Sequence, residues 1–232
     1  MGCAYAQKQN TPKEEKSVKA LDDLQAHYPE LERTMESVHD ACDMIVSTYM
    51  NGGKVLTCGN GGSAADAEHI VGELLKSFEL KRPLSDQIAS QIRESCPDEA
   101  QLFIDQLQMP LSALSLTSHL AFSTAFANDE EPALVFAQAL LGLAKAGDVL
   151  VALSTSGTSE NVVLAVKLAR ALGVRTIGLT GKNGGSLLGI CDICICAPAE
   201  RTYRVQEYHV AIYHAICRAI EDAFFGHQDD EG

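Results

Sequence analysis

His69 and Glu73 stand four residues apart, a spacing that places two side chains on one face of a helix with Cβ atoms about 5–6 Å apart. An imidazole beside a carboxylate can move protons or take part in holding a divalent metal, although a lone pair at this spacing is more often a surface contact. Both residues follow a glycine-rich turn, Cys58-Gly59-Asn60-Gly61-Gly62-Ser63, which opens the helix that carries them. A second loop, Ser154-Thr155-Ser156-Gly157-Thr158-Ser159, masses hydroxyls between an apolar run and an amphipathic stretch. There the hydroxyls, the unpaired backbone N–H groups and the positive helix end all favour an anion. No lysine is near, so the expected guest is a monophosphate held by neutral donors; the bland alternative is that these are turn and cap residues only. Gln206, His209 and His214 add candidate ligands and acid/base groups near the C-terminus. Gln206 and His214 are about 12 Å apart along a helix, so they meet one ligand only by leaning together or by coming from different subunits.

The elements that must position these groups are legible as a rhythm. Lys54–Cys58, Ala113–Thr117, Val149–Leu153, Thr176–Thr180 and Ile193–Cys196 are short β-rich runs. Helical stretches near 64–78, 132–145, 159–172 and 203–225 separate them, which predicts a parallel sheet covered by helices on both faces, an α/β αβα sandwich. Leu31, Met35, Val38, Cys42, Ile45 and Tyr49 recur at steps of four and three, marking a long N-terminal helix ended by Gly52-Gly53. Such a narrow seam packs against another helix, of this chain or of a second subunit. Residues 85–108, broken by Cys96-Pro97, read as an inserted helical hairpin, either surface decoration or a lid or subunit contact. A flexible tail is expected over 1–14, a single domain over 15–226 and an acidic tail over 227–232.

Eighteen Lys plus Arg against thirty-one Asp plus Glu leave a net charge of −13, which argues against binding nucleic acid or an anionic membrane. No apolar run reaches the roughly 18–20 residues of a spanning helix and no signal pattern opens the chain, so a cytoplasmic protein is expected. The eight cysteines are expected to be reduced core thiols; even Cys191, Cys194 and Cys196 lie in what reads as a buried strand with no second CxxC pair. Gly59-Asn60-Gly61-Gly62-Ser63-Ala64 formally matches the dinucleotide fingerprint. The acidic residue that would bind a ribose about twenty positions on is absent, which argues against a nucleotide-dependent oxidoreductase, and no nucleotide cofactor is expected.

Taken in order, these motifs resemble the phosphoheptose isomerases of the sugar isomerase (SIS) domain superfamily, from about Leu31 to Phe225. The resemblance rests on Cys58–Ser63 with His69 and Glu73, on Ala127-Asn128-Asp129, and on Gly147-Asp148-Val149-Leu150 leading into Ser154–Gly157. Leu179-Thr180-Gly181-Lys182 and Arg204–His209 with His214 complete it. It implies a flavodoxin-like SIS domain that isomerises sedoheptulose 7-phosphate, with Glu73 and His214 as the acid/base pair. It further implies contacts to the sugar phosphate from Asn60, Gly61, Ser63, Asn128, Asp129, Ser154, Thr155, Ser156, Ser159 and Gln206. A zinc ion at His69, Glu73, Gln206 and His214 occurs in some members, and the family implies a homotetramer with sites at subunit contacts. The alternatives are a regulatory SIS protein that binds sugar phosphate without turnover, and an isomerase of a different phosphosugar. The chain departs from the family pattern at Ser77, where Arg is usual, at His119, where Asp is usual, and at Tyr203, where some members have Asp.

Overall fold

The computed structural model describes residues 14–226, so the expected tails, apart from Glu14, lie outside the described residues. Five strands, β1 (Val55–Cys58), β2 (Ala113–Ser115), β3 (Val149–Leu153), β4 (Arg175–Thr180) and β5 (Ile193–Cys196), make one sheet in the order β2-β1-β3-β4-β5. Every pairing is parallel, with Leu56 opposite both Leu114 and Leu150 and with Leu179 opposite Ile195. Parallel neighbours need crossovers, and helices supply most of them. α3 (Gly62–Leu75), α4 (Asp86–Ser95) and α5 (Ala100–Gln106) lie between β1 and β2, α6 (Leu120–Asp129) and α7 (Val135–Leu143) between β2 and β3, and α8 (Glu160–Ala171) between β3 and β4. α1 (Glu14–His27), α2 (Met35–Met50) and α9 (Thr202–Phe225) complete the chain.

Side chains alternate across the strands, so the central strands feed two cores. Val149, Val151 and Leu153 join α1, α2, α3 and α9 on one face, whereas Leu150 and Ala152 join α7 and α8 on the other. This is the expected three-layer sandwich. Its strand order reverses between β1 and β3, and in open α/β sheets the crevice at the carboxyl ends of the strands beside such a reversal is where ligands bind. The two loops singled out from the sequence follow β1 and β3.

Several expectations need correction. The helix expected over 31–49 begins as a 3₁₀ turn, Pro29–Thr34, that runs into α2. Pro29 has no N–H to extend a helix backwards and neither Tyr28 nor Thr34 supplies a side-chain cap, so the start is irregular. The seam from Leu31 to Tyr49 is buried within this chain and does not itself call for a second subunit. α1 was not expected as a packed element, yet it buries Ala20, Leu21 and Leu24 against the α9 layer. β5 forms an edge of the sheet, and Ile195 is its one fully buried residue. α6 was not foreseen either: Leu-Ala-Phe-Ser-Thr-Ala-Phe-Ala-Asn-Asp is apolar nearly all round and shows no helical stripe. The hairpin is present as α4 and α5, capped at Ser85, with Leu84 and Ile88 packed on the main core and Leu102 and Leu107 exposed.

Candidate active site

The glycine turn after β1 and the hydroxyl loop after β3 are joined directly. Asn60 Nδ2 donates to Asn161 Oδ1 (2.8 Å) and Asn161 Nδ2 donates back to Asn60 Oδ1 (2.9 Å). Asn161 was missed in the sequence because an asparagine in the first turn of a helix is an ordinary capping residue; its Oδ1 also accepts Val162 N–H. Gly61 adopts φ +56°, which only glycine accepts without strain, and Ser63 is buried with its N–H on Asn60 O (3.0 Å). In the second loop Ser154 is buried and its hydroxyl meets that of Ser159 at 3.0 Å. Ser156 Oγ accepts Thr158 N–H (3.2 Å) and stays exposed. Gly157, at φ +66°, lets this loop pass the backbone of Gly184, where a side chain would collide. The result is a rigid rim of hydroxyls and glycine backbone at the sheet's reversal point.

The acid/base candidates meet farther along α3. His69 Nε2 is 3.1 Å from Glu73 Oε1 and 3.4 Å from Nε2 of His214, which projects from α9. Glu73 is buried, and its other oxygen takes an ion pair from Lys76 (3.3 Å). On the far side of His69, Nδ1 is held by Tyr213 Oη at 2.8 Å, and the same hydroxyl donates to Asp66 Oδ1 at 3.4 Å. Burial raises the Asp66 carboxyl and the Tyr213 phenol above their ordinary ranges. Partial burial, and after it the neighbouring His69, push His214 below the usual imidazole value, so it favours the neutral form near neutral pH. His214 also lines a groove of about 200 Å³ between α1 and α9, together with Asp23, His27, Tyr28 and Arg218.

Donor atoms of His69, Glu73 and His214 all lie within 4.8 Å of one another, an arrangement that could hold a divalent metal ion. The donor set fits zinc, with two imidazoles and a carboxylate, and the grip of Tyr213 on His69 Nδ1 is the outer hydrogen bond that metal-binding histidines commonly make.

The other expected residues fall elsewhere. Gln206 lies over the start of α3: a Cβ on Gly62 would be 2.9 Å from Gln206 Cδ and closer still to Nε2. It thus sits at the glycine-turn end of the site, while His214, on the same helix, sits with His69 and Glu73. His209 is fully buried, with Nε2 on Thr180 O (3.2 Å), and is no part of the cluster. Asn128 and Asp129 bond each other at the exposed end of α6. Of the departures, Ser77 N–H is tied to Gln108 Oε1 at the foot of the hairpin, Tyr203 is exposed and His119 Nε2 is buried without a partner.

A parallel sheet ordered β2-β1-β3-β4-β5, with a hydroxyl and glycine rim at its reversal point, defines a doubly wound α/β protein with an anion site at the switch point. Two SIS domain models match the chain consecutively, over residues 21–108 and 110–219. The chain belongs to the phosphoheptose isomerase family. It is 37% identical to the phosphoheptose isomerase of Campylobacter concisus, over 88% of this chain and 96% of that one. Among solved structures it resembles the phosphoheptose isomerase of Neisseria gonorrhoeae (TM-score 0.66, 32% identity, 90% of this chain and 94% of that one). It also resembles the enzyme from Francisella tularensis (TM-score 0.69, 30% identity, with the same shares covered).

Proposed function

We propose that this chain interconverts sedoheptulose 7-phosphate and D-glycero-D-manno-heptose 7-phosphate through an enediolate. The observation that carries the choice of substrate class is a length. His69 lies six residues beyond Ser63, about 9 Å along α3, and Glu73 reaches back to it because helical side chains lean toward the N-terminus. The phosphate rim and the acid/base cluster thus stand about two turns apart along α3, a separation that favours an extended phosphosugar chain over a short one. A triose phosphate would be too short to reach both.

In this reading the phosphate rests on Ser63, Ser154, Thr155, Ser156 and Ser159 with Asn60 and Gly61, and Gln206 meets a sugar oxygen near Gly62. Glu73 takes a proton from C1 of the ketose, and the electron pair moves through C2 onto the carbonyl oxygen to give the enediolate. The proton then returns to C2 while the O1 hydroxyl gives up its proton and O2 takes one, leaving the aldehyde at C1 and a hydroxyl at C2. His214, neutral and 3.4 Å from His69, exchanges protons with the O1 and O2 oxygens. Zinc held by His69, Glu73 and His214 would polarise those oxygens. The family membership favours turnover over a purely regulatory binding role, and the buried Glu73 beside two imidazoles is the equipment for it.

We also propose a cytoplasmic homotetramer. No helix among the described residues is long and apolar enough to cross a membrane. α6 buries none of its residues although it is largely apolar, and Leu120 is 77% exposed, so a second copy is the natural cover for it. Sedimentation that found a fully active monomer would rule out the assembly. The function is tested by NMR of sedoheptulose 7-phosphate in D₂O. The wild type should convert it with deuterium entering at the exchanged carbon, and Glu73→Gln should lower kcat by about 10² or more while still binding the sugar phosphate. A Glu73→Gln enzyme with near wild-type kcat would refute the assignment of the base.

A further inference from the structure

Arg82 and Glu221 form an ion pair (2.7 Å) in which both side chains are essentially inaccessible to water. Taking two charges out of water is expensive, and a buried pair is often no more stable than apolar residues of the same volume. Its contacts suggest another reason for it. Arg82 Nη1 donates to Leu74 O (2.8 Å) and Nη2 to Glu73 O (3.1 Å), so the guanidinium grips the last turn of α3 through the backbone of Glu73 itself. That is also where a cation suits the negative end of the helix. Glu221 receives Phe78 N–H, Glu79 N–H and Leu80 N–H (2.7–3.0 Å) besides Arg82 Nε.

Glu221 lies seven residues after His214, nearly two turns along α9 and so on the same face. The segment it holds brings the Phe78 ring against the His214 imidazole, with centroids 5.4 Å apart. Arg82 therefore fixes the helix end that bears Glu73, Glu221 fixes the strap that backs His214, and the ion pair joins the two. The strap continues to the hairpin, whose return is pinned by Met109 N–H on Arg82 O (2.8 Å).

We propose that Arg82 and Glu221 are positioning residues for the isomerisation: together they set the separation of the Glu73 carboxylate and the His214 imidazole. This rests on the reading of Glu73 and His214 as the reacting groups. Misplacing such groups by about 1 Å can cost about a hundredfold in rate, and the cost falls on kcat because the phosphate rim lies at the other end of α3.

The test uses the full-length protein. Arg82→Lys keeps a charge for Glu221 but lacks the fork that grips two carbonyls. Arg82→Gln with Glu221→Gln removes both charges while leaving an amide oxygen for the strap N–H groups and an amide N–H for the α3 carbonyls. Both should remain folded by circular dichroism, lose about tenfold or more in kcat, and keep KM within about threefold of wild type. The proposal is overturned if either variant keeps kcat within about threefold, or if the lost activity matches the fraction unfolded. Failure of both variants to fold also overturns it, since the pair is then a requirement of folding. Glu73→Gln measured alongside separates the two readings. If it stays active, the acid/base assignment fails; if it is dead while the pair variants match wild type, only the positioning role fails.

Discussion

Gly62→Ala probes the seat of Gln206 without touching Gln206. Gly62 is the first residue of α3 and is absent from the glycines with positive φ, so alanine suits the backbone there and should, if anything, stabilise the helix, by at most about 1 kcal/mol. The added methyl, however, would occupy the place of the Gln206 amide, 2.9 Å from Cδ. Because the obstructing atoms are the far end of a flexible side chain, the clash resolves by a rotamer change of Gln206 rather than by movement of α3 or α9. Folding stability should therefore stay within about 1 kcal/mol of wild type. If Gln206 donates to a neutral sugar oxygen from this seat, losing that bond costs about 1 kcal/mol, or about fivefold in kcat/KM. If it meets the charged enediolate, the cost rises to about 3 kcal/mol, on the order of a hundredfold, and appears in kcat. Initial rates with sedoheptulose 7-phosphate, measured beside Gln206→Ala and thermal melts, decide between these. The reasoning is refuted if Gln206→Ala is impaired while Gly62→Ala is as active as wild type, since the seat over Gly62 would then not be the working position.

Ser156→Ala combined with Ser159→Ala should raise KM for the sugar phosphate by about 1–3 kcal/mol equivalent per lost charge-assisted bond, and an unchanged KM would return both residues to the role of turn and cap. Asn161→Ala removes both amide bonds to Asn60 and should loosen the glycine turn, raising KM with little change in melting temperature; titration with inorganic phosphate provides an independent readout. His209 is buried neutral, with its pKa lowered to about 4 by desolvation, against which the bond to Thr180 O acts. The unfolded state, at an ordinary 6.5, takes up the proton first, so His209 costs no stability above pH 6.5 and costs more as pH falls toward 4, to a total of about 3 kcal/mol. Urea denaturation at pH 7 and pH 4.5 should show a smaller acid loss for His209→Gln than for wild type; equal losses would contradict the burial argument.

The sequence by itself determined the five strands, most of the helices between them, the two loops and the shared helical face of His69 and Glu73. These are local properties: apolar runs of strand length, glycines at turns, hydroxyls at helix starts and a spacing of four residues each act on neighbours in the chain. Contacts between distant segments were beyond it. Nothing local joins Asn60 to Asn161, sets Gln206 over Gly62 rather than beside His214, or buries Arg82 against Glu221. α1 escaped notice because three buried apolar residues among charged ones make too faint a stripe, and α6 because a helix that is apolar on most sides has no stripe at all. Whether the seam on α2 faced this chain or another was likewise open, since period alone names a face and not its partner. Only the packing of α1 and α9 over the sheet decided it, because burial is a property of the whole chain and not of any segment.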